Sequence, residues 1–224
     1  MRFRDRVDAG RRLADRLAPL RAESPVVLGL PRGGVPVAYE VARALGAPLD
    51  VILVRKLGVP LHEEVGFGAV GEGGVRVLNG DIMRVSRVGE DDLAEIQAHE
   101  EARLARQAET FRGGRPRVAL DGRTAVVVDD GVATGATASA ACEVARAHGA
   151  ARVVLAVPVS APDAAEALRA EVDELVCLTT PAVFLAVGEW YQDFSQTTDE
   201  EVVALLRRGG AGRDGPGSAR RAEP

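Results

Sequence analysis

Residues 124–137 have the sequence TAVVVDDGVATGAT, and this stretch contains the strongest structural pattern in the chain. Its first five residues are small, apolar or β-branched, which is typical of a buried strand in a parallel sheet. Asp129 and Asp130 then interrupt the run, and a loop of small residues follows. Residues 138–147 are rich in alanine and end shortly before Gly149, which predicts a helix. The stretch therefore predicts a strand, an acidic pair, a small-residue loop and a helix, in that order.

The small-residue loop is suited to binding a phosphate monoester. Between Ala133 and Thr137 the side chains are small enough for backbone N–H groups to approach an anion closely. The first turn of the following helix adds N–H groups that have no partner within the helix, together with a partial positive charge. The hydroxyls of Thr134 and Thr137 can donate further hydrogen bonds to the same phosphate.

The acidic pair has a different chemistry from the loop beside it. Ionised Asp129 and Asp130 can only accept hydrogen bonds, which matches the adjacent hydroxyls of a ribose or a hydrated cation. Neighbouring side chains of a regular strand point to opposite faces, so both carboxylates reach one ligand only if the strand has ended at Asp129. Loop and pair together predict a site for ribose 5-phosphate. The alternative is an ordinary strand-to-helix connection with solvated acids.

Residues 126–137, VVVDDGVATGAT, resemble the signature of the type I phosphoribosyltransferases, which bind 5-phosphoribosyl 1-pyrophosphate (PRPP) with this segment. The resemblance implies that Asp129 and Asp130 hold the ribose hydroxyls and that magnesium is bound, with the same two acids as candidate ligands. The 6-oxopurine enzymes of the family usually carry a third acid at the position of Ala133, so hypoxanthine and guanine are less expected substrates. The loop residues that the resemblance assigns to PRPP are Ala133, Thr134, Gly135, Ala136 and Thr137.

Composition limits the possible partners and the number of domains. The chain has 224 residues, 46% hydrophobic and 27% charged, which is enough for one well-buried domain but not for two large ones. A formal net charge of -5 argues against nucleic acid as the main partner. No apolar stretch approaches the roughly 18 residues that cross a bilayer, so we expect a cytoplasmic protein without a membrane partner. Cys142 and Cys177 lack metal-ligand spacing and are expected to be free thiols.

Strands alternate with helices along the chain, which predicts an α/β fold. We expect an open, mostly parallel twisted sheet with helices on both faces, and ligands beyond the carboxyl ends of its strands. The predicted strands are residues 26–30, 49–54, 152–157 and 174–178, and further helices are predicted at 4–20, 35–45 and 162–170. Residues 1–207 are predicted to form a single phosphoribosyltransferase domain, with a flexible loop or hairpin at 57–74, a helical excursion at 90–112, a candidate hood at 181–200 and a disordered tail at 208–224.

The segment GLPRGG, residues 29–34, follows the first predicted strand and suits a second anion. Gly33 and Gly34 free backbone N–H groups at the start of the next helix, and Arg32 adds a planar fork of donors. In the resembled family this position is the pyrophosphate loop, which often contains a cis peptide before its basic residue, here between Pro31 and Arg32. The alternative is a turn without a ligand.

Arg55 and Lys56 are predicted at the carboxyl end of the second strand, where an open sheet binds its ligand. Five glycines follow within nine residues, between positions 66 and 74. Related enzymes close a mobile loop here over the pyrophosphate, so the segment is either a lid that excludes water or a glycine-rich hairpin. Arg32, Arg55 and Lys56 are the candidate catalytic residues, because their charges can stabilise the leaving diphosphate.

Four of the eight aromatic residues of the chain lie between positions 184 and 194, after the last predicted strand. Aromatic faces can stack on a heterocycle. The resemblance to purine-salvage enzymes suggests that Phe184, Trp190 and Asp193 form a hood that binds the base. The alternative is an aromatic cluster that seals the core or a dimer interface.

These patterns and the resemblance lead to one main functional prediction. We expect a magnesium-dependent phosphoribosyltransferase of purine or pyrimidine salvage, a homodimer, in which a nucleobase-like nitrogen displaces pyrophosphate from PRPP. The alternative is a non-catalytic regulator that senses PRPP or a nucleotide on the same fold. A diphosphokinase that makes PRPP fits less well, because the chain is short for that two-domain architecture.

Overall fold

Strands and helices alternate around a central sheet. The computed structural model describes residues 2–60 and 62–210, the side chains of residues 63 and 64 excepted. The strands are β1 (Val26–Gly29), β2 (Leu49–Val51), β3 (Val54–Val59), β4 (His62–Gly71), β5 (Arg76–Leu78), β6 (Thr124–Val128), β7 (Arg152–Val159) and β8 (Glu174–Thr179). The α-helices are α1 (Arg6–Leu17), α2 (Gly34–Leu45), α3 (Gly80–Val85), α4 (Glu90–Arg112), α5 (Ala136–Ala147), α6 (Pro162–Glu171) and α7 (Asp199–Gly210).

Five strands form a parallel sheet in the order β2-β1-β6-β7-β8. Alternate residues of these strands enter two different hydrophobic clusters. Val27 and Val126 pack in one cluster with α1, α2 and α7, whereas Leu28 and Val127 pack in the other with α5 and α6. Both faces of the sheet are therefore covered, which explains why its central strands are continuously apolar. The predicted fold class is confirmed.

A second, antiparallel sheet of β3, β4 and β5 is attached to the main sheet. The predicted strand at 49–54 was wrong at its end: β2 stops at Val51, and Val54 already belongs to β3. The error has a physical cause, because Val51, Ile52 and Leu53 are all buried and hydrophobicity does not mark the change of sheet. The segment 57–74 consequently forms most of a hairpin, whose residues Leu57, Phe67 and Val70 are buried in the core.

The long charged helix α4 covers the small sheet and packs against α7. Its last residue, Arg112, is buried and joins three parts of the fold. The Nε atom of Arg112 donates to Asp50 Oδ1 at 2.7 Å, and its two terminal nitrogens donate to Glu72 at 2.5 and 3.0 Å. Nη2 also donates to the carbonyl of Val51 at 3.0 Å. This network links the end of α4 to β2 and to the residue that follows β4.

The two ends of the described chain differ from the expectation in detail. The first helix is shorter than predicted, because residues 18–23 continue as a 3₁₀ helix that has Pro19 in its first turn. The helix α7 was not predicted, and it continues through residues 208–210, where a disordered tail was expected to begin. The rest of that tail, 211–224, lies outside the described residues.

Both cysteines are free, as expected. In the described part of the chain, no helix is long and apolar enough to cross a membrane.

Candidate functional site

The acidic pair lies at the carboxyl end of β6. The strand ends at Val128, so Asp129 and Asp130 are both released from the regular alternation of a strand. Asp129 Oδ1 accepts the backbone N–H of Asp130 at 2.8 Å. Burial raises the pKa of Asp129 well above its usual value, and the charge of Asp130 raises it further. Burial also raises the pKa of Asp130, against the opposing charge of Arg6.

The loop of residues 29–34 packs directly against this pair. A Cβ atom at Gly33 would overlap the Asp130 carboxylate, and one at Gly34 would lie 2.6 Å from the carbonyl oxygen of Val128. Both positions therefore require glycine, because any side chain would push the two loops apart. The peptide bond between Pro31 and Arg32 is cis, as the family resemblance implies.

The side chain of Arg32 projects beside the same loop and is partly exposed. Its Nη1 atom lies 3.6 Å from Asp199 Oδ1, at the first residue of α7. An exposed pair at this separation is weak, and an anion can compete with Asp199 for the guanidinium. The structure thus brings Arg32, Gly33 and Gly34 together with the acidic pair.

The predicted phosphate loop connects β6 to α5 and is largely exposed. Gly135 has a φ of 85°, which favours glycine at the point where the helix begins. The first bond of the helix runs from the Ser139 N–H to the Gly135 carbonyl at 2.8 Å. The N–H groups of Ala136 and Thr137 come before this bond, so they can bind an anion.

A cleft of about 1160 Å³ opens between the phosphate loop and the small sheet. Thr134, Ala136 and Thr137 line its α5 side, and Lys56 lines its hairpin side. Gly66 makes room for this lysine, because a Cβ atom there would lie 2.8 Å from Lys56 Cδ. The cleft therefore brings together the phosphate loop and one of the two cations predicted from the hairpin.

Arg55 does not line this cleft. Its Nε atom lies 3.7 Å from Glu100 Oε2 on α4, and it lines a separate cleft of about 600 Å³ with His99 and Arg103. The expectation that Arg55 and Lys56 share one position at the end of a parallel strand was wrong. They lie within the hairpin strand β3, where successive side chains point to opposite faces. Lys56 lines both clefts.

The candidate hood residues lie after β8, close to the start of the chain. Phe184 and Trp190 are partly buried and pack against a cluster that contains Phe3 and Tyr191. Asp193 is exposed and accepts the backbone N–H of Ser195 at 2.9 Å. Hydrogen bonds from the Ser195 hydroxyl and N–H lower the pKa of Asp193 below its usual value. This packing is compatible with an aromatic cluster that seals the core and also with a base site.

Most of the chain matches the model of a known protein family. Residues 4–195 match the family model of the phosphoribosyl transferase domain. The chain belongs to this family.

Three relatives extend the comparison. The structure of TT1426 from Thermus thermophilus is 52% identical, covers 93% of this chain and 99% of that one, and superposes with a TM-score of 0.85. Two Mycobacterium tuberculosis proteins, from strains CDC 1551 and H37Rv, are each 58% identical over 206 residues and carry the name "Putative phosphoribosyl transferase". The match covers 92% of this chain and 46% of each relative, so the chain spans about half their length.

The structure adds two residues to the candidate site that the sequence did not single out. Arg6 of α1 contacts Asp130, with 2.8 Å between Nε and Oδ2. The Tyr191 hydroxyl donates to the backbone carbonyl of Asp130 at 2.5 Å. Arg6 is one of many arginines near the start of the chain, and the pattern of α1 indicated only packing. Tyr191 was noted within the aromatic run, but nothing in the sequence linked it to the acids.

Proposed function

We propose that this protein binds PRPP with magnesium and transfers its phosphoribosyl group to a nitrogen acceptor, with release of pyrophosphate. The observation that carries the proposal is the packing of Gly33 and Gly34 against the acidic pair, at the carboxyl ends of β1 and β6. This packing supports the proposal because it brings two carboxylates, which can accept the hydroxyls of a diol, beside a glycine turn whose N–H groups can bind an anion. Open parallel sheets bind ligands at this edge.

Each acid has one oxygen available for the ribose hydroxyls. Asp130 Oδ2 is engaged by Arg6, and Asp129 Oδ1 accepts a backbone N–H. Within residues 2–60 and 62–210, no side chain donates a hydrogen bond to Asp130 Oδ1 or Asp129 Oδ2. These two oxygens can accept one hydroxyl each from a ribose diol, while the N–H groups of residues 134–137 bind its 5′-phosphate.

In the proposed reaction, a lone pair of the acceptor nitrogen forms a bond to C1 of the ribose. The bond between C1 and the diphosphate oxygen breaks, and pyrophosphate leaves with that electron pair, while the acceptor loses its N–H proton to solvent. Arg32 and Lys56 stabilise the negative charge that develops on the leaving diphosphate. Arg55 is assigned a smaller part, because it faces α4.

The donor set fits a magnesium ion that arrives with its substrate. Magnesium is commonly bound by one or two carboxylates together with phosphate oxygens and waters. Asp129 and Asp130 supply such a pair, and the described residues contain no group of three or more side chains that could hold a metal alone. Asp129 and Asp130 would hold the ion, which would neutralise charge on the diphosphate.

The acceptor is proposed to be a nucleobase held by Phe184, Trp190 and Asp193. Aromatic side chains beside the acidic pair offer faces for stacking, and Asp193 can accept an N–H of the base. The absence of an acid at Ala133 favours acceptors other than hypoxanthine and guanine, by resemblance to the family. A role in salvage, a cytoplasmic location and a homodimer stay predictions.

The direct test is an incubation with PRPP, magnesium and a panel of purine and pyrimidine bases, with pyrophosphate as the readout. We expect release with a subset of the bases and none from the matched variant Asp129→Asn/Asp130→Asn. Binding of PRPP or a nucleotide without release of pyrophosphate by any base would favour the alternative, a regulator that senses PRPP or a nucleotide. Absence of PRPP binding would contradict the proposed function and a regulator that senses PRPP.

A further inference from the structure

The side chain of Arg6 connects three segments that are far apart in sequence. Its Nε atom donates to Asp130 Oδ2 at 2.8 Å, and its Nη1 atom donates to the carbonyl of Ser195 at 2.6 Å. Its guanidinium carbon lies 4.1 Å from the centre of the Phe194 ring. Only 12% of the Arg6 side chain and 13% of the Asp130 side chain are exposed, so this ion pair is shielded from water. A shielded, hydrogen-bonded pair is stronger than an exposed one.

The position of Arg6 in α1 is unfavourable for the helix itself. It is the first residue of the helix, directly after Asp5, whose side chain accepts the Asp8 N–H at 2.7 Å. The start of a helix carries a partial positive charge, which favours acids and opposes a cation. The contacts of Arg6 outside the helix must therefore outweigh this repulsion.

Arg6 and Gly33 together fix the orientation of the Asp130 carboxylate. A Cβ atom at Gly33 would overlap Asp130 Oδ2 and would lie 3.3 Å from Arg6 Nε. Oδ2 is thus enclosed by the glycine turn on one side and the guanidinium on the other, and the second oxygen is left for a ligand. Rotation of the carboxylate would break the bond to Arg6, so the arginine holds the orientation.

We propose that Arg6 is a positioning residue of the PRPP site: it orients Asp130 toward the ribose diol and holds residues 193–195 beside the acidic pair. This inference rests on the PRPP binding proposed above. It also couples the two halves of the reaction, because the guanidinium that orients Asp130 also holds residues 193–195 within the candidate hood. Arg6 acts through Asp130 and Ser195, and it needs no contact with the reacting atoms.

The first test is a double-mutant cycle on PRPP affinity, measured by calorimetry with magnesium present. Arg6→Ala should weaken binding by at least about tenfold, the loss expected for one charge-assisted hydrogen bond. On an Asp130→Ala background the same substitution should change affinity by less than about twofold, because its target is gone. Arg6→Lys should retain more affinity than Arg6→Ala, since it keeps the charge. Arg16→Ala, an exposed position of the same helix, is the matched control and should bind as the parent does.

The second test needs no ligand and separates this inference from the proposed function. Arg6→Ala should speed amide exchange in the peptide that contains residues 193–195, because Ser195 loses its partner, while Arg16→Ala should leave it unchanged. Unchanged exchange in Arg6→Ala would overturn the inference by itself, and so would additive losses of PRPP affinity in the cycle. If the parent protein does not bind PRPP, the proposed function and the ribose role of Arg6 both fail, and the exchange result alone decides the hold on residues 193–195.

Discussion

At the scale of single residues, two sets of largely buried charged residues have different roles. Asp129 and Asp130 lie side by side, and burial raises the pKa of both, so ionisation of these carboxyls opposes folding. Asp50, Glu72 and Arg112 instead satisfy one another within the fold. Residues that oppose folding in this way are often kept for binding. The contrast supports a ligand site at the acidic pair and a structural role for Arg112.

Arg112→Met should destabilise the protein strongly. The side chains of Arg112 and Asp50 are 6% and 5% exposed, and loss of the guanidinium leaves two carboxylates without their cation. Removing one partner of a buried ion pair costs about 3–5 kcal/mol, which urea unfolding can measure. Arg84→Met is the control, because the exposed pair of Arg84 and Asp81 contributes at most about 1 kcal/mol. Equal losses of unfolding free energy in both variants would show that the Arg112 network stabilises the fold no more than an exposed ion pair does.

At the scale of secondary structure, the two neighbouring cations of β3 both line the cleft beside α4, and of the two only Lys56 also lines the cleft beside the phosphate loop. Lys56 lines the cleft above the phosphate loop, whereas Arg55 lies 3.7 Å from Glu100 on α4. The two residues are adjacent in sequence, and their surroundings differ because β3 is a hairpin strand. A sequence pattern does not reveal this strand, because the apolar run of β2 continues into β3 without a polar residue.

Lys56→Ala should therefore weaken PRPP binding more than Arg55→Ala. We expect a loss of about 1.5–3 kcal/mol for Lys56→Ala, the value for a hydrogen bond to a charged group. Arg55→Ala should change the affinity by less than about 0.5 kcal/mol, because its charge faces α4. Calorimetric titration of PRPP into both variants checks this. A larger effect of Arg55→Ala would mean that the diphosphate binds on the α4 side of the hairpin.

Other elements show why the sequence predicted the main sheet better than its surroundings. The strands β1, β6, β7 and β8 are short apolar runs bounded by glycine, proline or charge, and hydrophobicity alone identifies them. The helix α7 was missed although its start carries a recognisable signal. Thr198 and Glu201 form a capping box, in which each residue accepts the backbone N–H of the other at 3.2 and 2.9 Å. The glycine-rich and arginine-rich composition after it favoured a disordered tail instead.

At the scale of the whole molecule, the two ends of the family domain meet at the site. Phe3, the residue before the family match, forms a parallel bridge with Tyr191, and Arg6 donates to the carbonyl of Ser195. A sequence pattern cannot predict such contacts, because they join residues more than 100 positions apart and depend on tertiary packing. The strand, the acidic pair and the small-residue loop could be predicted as neighbouring segments because they are local in sequence.

The fluorescence of Trp190, the single tryptophan of the sequence, can report on a ligand at the candidate hood. Trp190 is partly buried, and no hydrogen-bond partner within the described residues reaches its Nε1 atom. A base stacked within about 7 Å of the indole should quench or shift its emission, and PRPP alone should do less. The effect should be lost in Thr134→Arg, whose side chain would fill the phosphate loop. Nucleoside monophosphates that bind by calorimetry yet leave the emission unchanged would assign Trp190 to packing.

The central claim is that the acidic pair binds the ribose of PRPP, and calorimetric titration of PRPP with magnesium tests it most directly. Burial raises the pKa of both acids, so their ionisation weakens folding as the pH rises, whereas loss of the Asp130 contact with Arg6 removes a shielded ion pair. Urea unfolding of both proteins at the pH of the titration is therefore the control, and a loss of affinity in a folded variant reports on binding. We predict clear binding by the parent and a loss of several kcal/mol in the variant, at about 1.5–3 for each charged hydrogen bond. Equal affinity in the two proteins would contradict the account.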